Sequence, residues 1–128
     1  MNEVVHWSLA PQPHAVSASR EHLRSCCPHL PPAVLDDALL LTSELVTNAV
    51  RYGAAGEITC RLWPGHEVVR LEVTDASSTV PHEVDRGLVA DSGRGLQIVD
   101  TVASRWGAIP AQRQGGKTVW FELDTGLG

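Results

Sequence analysis

The chain has 128 residues, 43% of them hydrophobic and 20% charged, with a formal net charge of −5. That length suits one domain with its own core, and the acidic balance offers no field to attract a phosphate backbone, so direct nucleic-acid binding is not expected. No apolar run reaches the roughly 18 residues that a membrane span needs, and Met1 to Ala10 lacks the basic start and long apolar stretch of a signal peptide. The expectation is a cytoplasmic protein with no membrane partner, spanning residues 1–128 as a single domain.

Val5, Trp7 and Leu9 alternate with polar or small residues before Pro11 and Pro13, which predicts a short first strand. Ala15 to Cys27 reads as a helix. Pro31 and Pro32 mark the start of a second helix from about Ala33 to Tyr52, because a missing amide hydrogen costs little in the first turn; Gly53 is a natural stop. Glu57 to Trp63 and Glu67 to Asp75 are strand-like runs joined by a Pro64-Gly65 turn.

Residues 76–93 have no sustained periodicity and are rich in Ser, Pro, Asp and Gly, so they are expected to form a long functional or mobile loop. From Arg94 to Trp106, Leu96, Val99, Val102, Ala103 and Trp106 recur at helical spacing. Ala108 to Arg113 reads as a modest strand, Gly115-Gly116 as a turn, and Lys117 to Leu123 as a strong strand. Helices and hairpins mix without a regular βαβ alternation, which predicts an α+β class with helices on one face of a mostly antiparallel sheet.

Cys26, Cys27 and Cys60 match neither a disulfide framework nor a C-x-x-C clip, and read as reduced, partly buried thiols. The six histidines are scattered, with no pair spaced to present two ligands on one helical face. His22 lies in a helical stretch, but its neighbours Ser19 to Arg24 suggest a solvated face rather than a phospho-acceptor.

On the second helix, steps of 100° place Leu35, Leu39, Thr42, Val46 and Val50 in one stripe, expected to pack on the sheet. Glu44 and Asn48 fall nearly opposite its centre, one turn apart. Together they offer an acid and an amide oxygen, a set that can hold a hydrated magnesium ion or take a proton from a hydroxyl attacking a phosphate. Such i, i+4 pairs are also common on ordinary helix faces.

In Val69 to Asp75, alternation puts Val69, Leu71, Val73 and Asp75 on one face, so Asp75 points the way the core residues point. A buried carboxylate needs a donor; the exocyclic amine of adenine is one, and an Asx-turn is the plainer alternative. Gly93-Arg94-Gly95-Leu96 then opens a helix, where backbone amides and the positive helix end favour phosphate, although Gly-x-Gly also serves as a flexible turn. Neither a Walker nor a Rossmann motif is present.

In order, Glu44-Leu-Val-Thr-Asn48-Ala-Val, Asp75 at a strand end, Gly93-Arg94-Gly95-Leu96 at a helix start and Gly116-Lys117-Thr118-Val-Trp on the last strand form a series. The chain resembles the anti-sigma-factor serine/threonine kinases, within the ATPase superfamily shared by gyrase, histidine kinases and MutL. The resemblance runs from about Ser17 to Leu123. It implies a two-layer α/β sandwich of Bergerat type, with ATP and Mg2+ as cofactors and 76–93 as the ATP lid. It implies Glu44 as general base and Asn48 as magnesium ligand. It also implies Asp75 at the adenine, Gly93, Arg94, Gly95 and Leu96 at the phosphates, and Thr118 near the adenine pocket. Where many relatives have Asp-x-Gly-x-Gly, this chain has Asp75-Ala76-Ser77-Ser78-Thr79, which removes backbone freedom beside the base.

The function so implied is transfer of a phosphoryl group from ATP to a serine or threonine of a STAS-type anti-anti-sigma partner, with a sigma factor as a second partner, in a family whose members often form homodimers. The alternative is a module that binds ATP or a sigma factor and acts only by docking. A histidine-kinase fragment and a gyrase-like ATPase rank behind these two, for want of a dimerisation helix pair and of a transducer domain.

Overall fold

A computed structural model of the chain describes residues 3–52, 56–76, 94–110 and 116–127. Its elements in chain order are β1 (Val5–Leu9), α1 (His14–Cys26), α2 (Pro32–Tyr52), β2 (Ile58–Pro64), β3 (Val68–Asp75), α3 (Arg94–Val102), β4 (Arg105–Pro110) and β5 (Lys117–Asp124). Among the described residues the strands form one sheet in the order β1-β2-β3-β5-β4, antiparallel at every pairing. The α+β class with helices on one face is as the sequence predicts.

Alternation along the strands separates the two faces of the sheet. Ile58, Cys60 and Leu62 of β2, Val69, Leu71 and Val73 of β3, and Val119, Phe121 and Leu123 of β5 turn inward and are buried. Each large apolar side chain so covered contributes about 1.5–3 kcal/mol. The helices lie on this face: Ala15, Ser19 and Leu23 bury one stripe of α1, while Leu96 and Val99 anchor α3. β1 is tied to α1 where the Trp7 Nε1 donates to Ser19 Oγ at 3.0 Å.

α2 is more deeply embedded than one stripe allows. Leu39, Thr42 and Val46 of the expected stripe are buried, but so are Ala38, Leu41, Leu45, Asn48 and Ala49. Helix α2 packs against α1, α3 and three strands, and a helix with neighbours on three sides needs apolar residues over most of its circumference. Thr42 satisfies its hydroxyl within the helix by donating to the Ala38 carbonyl at 2.8 Å.

The α3–β4 junction corrects the sequence reading. The helix ends at Val102 rather than Trp106, and the next strand is Arg105–Pro110 rather than Ala108 to Arg113, whose residues 111–113 lie outside those described. The Ala103 N–H donates to the Val99 carbonyl, whereas the Ser104 N–H already donates to Glu122 of β5, so the chain passes from helix to ladder within one residue. Trp106 continued the apolar period because it faces the same layer from the strand: it lies opposite Phe121, and its Nε1 donates to Asp100 of α3 at 3.0 Å.

The hairpin at Pro64-Gly65 is present, with Pro64 paired to Val69. Its loop is fastened by the His29 ring at the Gly65 carbonyl and by Thr125, whose N–H donates to Glu67. All three thiols are free, and burial pushes Cys27 and Cys60 up to about 12, which leaves them inert. His22 is exposed and stacks on Trp7 with ring centroids 4.7 Å apart.

Candidate functional site

Asn48 sits on the buried side of α2, 8% exposed, where the sequence reading put it on the solvent face. The reason is the wide apolar girdle of the helix: Leu45 and Leu41 lie one and two turns before Asn48 on the same side. Its side chain makes no hydrogen bond to any other described residue. The amide atoms are not sealed off from solvent, so they remain open to a ligand.

Glu44 is one turn earlier and half-buried. It has no ion-pair partner among the described residues, and desolvation raises its carboxyl above the ordinary glutamate range. An acid in that environment holds a proton more readily than one in water, which suits a proton acceptor. The helix thus positions two uncommitted oxygen-bearing groups side by side.

Asp75 closes β3 and points inward as expected, 5% exposed. One of its partners is Lys117, directly opposite on β5: Lys117 Nζ donates to Asp75 Oδ2 at 2.7 Å, with both side chains almost fully buried. Sequence reasoning quoted Lys117 within a motif and gave it no role. The signal was available, since β5 alternates Lys117, Val119, Phe121, Leu123 inward just as β3 alternates Val69, Leu71, Val73, Asp75.

Thr118 requires the complementary correction. It faces the other side of the sheet, where its Oγ1 and that of Thr74 lie 2.7 Å apart, so it is not beside the Asp75 carboxylate. One-residue parity decides this, because neighbouring strand residues point to opposite faces. Gly116, just before Lys117, is required by packing: a Cβ there would lie 2.0 Å from the Asp75 carbonyl oxygen. The strand ends approach so closely that only glycine fits.

Arg94 opens α3, with Gly95 in its first turn. Leu96 is buried in the core, where its side chain anchors α3. Gly93 and the 76–93 loop beyond Ala76 lie outside the described residues.

Residues 9–123 match the family model of the histidine kinase-like ATPase domain. No curated protein matches the chain. Among the described residues no helix is long and apolar enough to cross a membrane. The family match takes in α1, α2 and α3 and the strands from β2 to β5 as far as Leu123, and on that ground the chain belongs to the histidine kinase-like ATPase domain family.

Proposed function

We propose that this protein is an ATP-binding cytoplasmic regulator, an anti-sigma factor that phosphorylates a serine or threonine of a STAS-type anti-anti-sigma partner and also docks a sigma factor, as one domain and without nucleic-acid or membrane contacts. The observation that carries the reading is the α2 pair: a buried amide with no hydrogen bond to any described residue, one turn from a carboxylate whose proton affinity burial has raised. ATP supplies the phosphoryl group and Mg2+ the charge that balances it. Among the described residues no three His, Cys, Asp or Glu side chains cluster to cage a metal. A magnesium ion that keeps its waters and takes one amide oxygen needs no such cage, which fits Asn48.

In this reading Asn48 orients the metal-bound nucleotide and Glu44 accepts the proton of the acceptor hydroxyl. The backbone at Arg94 and Gly95 faces the phosphates from the helix start. Incubation with labelled ATP and STAS-type partners tests it: transfer that disappears in Glu44→Ala while nucleotide binding survives supports the kinase. Binding without transfer to any partner supports the docking module. The Asp75–Lys117 pair favours that second reading, because the carboxylate assigned to the base already has a donor inside the fold.

A further inference from the structure

The Asp75–Lys117 pair is the most buried charge constellation among the described residues, and the family membership does not explain it. The two residues are cross-strand partners at the end of β3, on the face that carries the helices. Nζ to Oδ2 is 2.7 Å, and the side chains are 3% and 4% exposed. Gly116 lets β5 approach the Asp75 backbone, which holds Lys117 in register opposite the carboxylate. The ammonium therefore offers Asp75 what the amine of a base would offer, a hydrogen-bond donor, with a full positive charge in addition.

We propose that Lys117 sets nucleobase affinity: it is an internal competitor for the Asp75 carboxylate, so the site grips ATP mainly through its phosphates and only weakly through its base. This rests on the reading of the domain as an ATP site. A neutral exocyclic amine must share or displace a charge-assisted bond formed without any ordering cost, and the stronger donor holds the acceptor. Lys117 is thus a specificity-determining residue that acts through Asp75.

The test is calorimetric titration of ATP and, separately, of inorganic tripolyphosphate into the full chain and into Lys117→Thr. Lys117→Met, which keeps the side-chain length, is measured alongside and serves if Lys117→Thr fails to fold. Removal of the ammonium is expected to tighten ATP by about tenfold, the worth of one hydrogen bond to a charged group. Tripolyphosphate affinity should stay unchanged, because the effect lies at the base. Equal tightening of both ligands, or unchanged or weaker ATP binding in variants of a protein that itself binds ATP, overturns the role of Lys117 while leaving the ATP site intact. Absence of ATP binding in the native chain and both variants overturns the ATP site, and the proposal with it.

Discussion

The two faces of β3 and β5 carry the same kind of chemistry with opposite consequences. Inward, Asp75 and Lys117 form one pair with side chains 3–4% exposed. Outward, Arg61, Glu72, Arg70, Glu122, Arg105 and Asp124 run as a ladder of ion pairs across four strands. Trp63 and Trp120 are threaded into that ladder, with the Arg70 guanidinium 4.3 Å from the Trp120 ring centroid. The bond lengths are alike: 2.7 Å inside, and 2.7 Å between Arg105 and Glu122 outside. What differs is water. Outside, solvent screens each pair and can replace a lost partner; inside, water cannot make up for the loss of one partner.

That contrast fixes the order of expected effects. Lys117→Met, which leaves Asp75 buried without its cation, should lower unfolding free energy by about 3–5 kcal/mol in urea titrations. Adding Asp75→Asn should restore most of the loss. Arg70→Ala should cost only about 1 kcal/mol, part of it cation–π, and less at high salt. A larger loss from Arg70→Ala than from Lys117→Met would reverse the comparison.

Glu44 gives a smaller effect with a distinctive pH sign. Its folded carboxyl titrates above the unfolded value, so ionisation opposes folding, and the penalty appears as pH rises through that interval and persists above it. Glu44→Gln should therefore raise Tm at pH 8 and make no difference at pH 3. Arg105 gives the smallest effect, with the opposite sign. It holds the Glu122 and Asp124 carboxyls below their ordinary range, so its contribution is present near neutrality and fades as pH falls through that range. The Tm difference between Arg105→Ala and the native chain should be slight at pH 7 and absent once both carboxylates are protonated.

The fold was legible wherever periodicity had a single cause. Strand alternation predicted the inward face of β3 down to Asp75, and prolines marked the start of α2 within a residue. It misled where two causes gave the same pattern: Trp106 lies in helical phase with Val99 and Val102 yet belongs to a strand packed on that helix. The site was legible as residue types and less so as directions. Asn48 and Asp75 stand out by residue type, but the burial of Asn48 follows from neighbours of α2 that no single-helix projection includes. Thr118 came from the family resemblance alone, and Lys117 beside it was given no role. Parity along β5 puts the lysine inside.

The most direct test of ATP binding through α2 is the affinity of the chain for ATP, with and without Mg2+, compared between the native protein and Asn48→Ala. Binding that Mg2+ strengthens, and that falls at least about tenfold in Asn48→Ala while the circular dichroism of the variant stays native, is the expected result. Absence of binding by the native chain at millimolar ATP with Mg2+, or equal binding by Asn48→Ala, would contradict it.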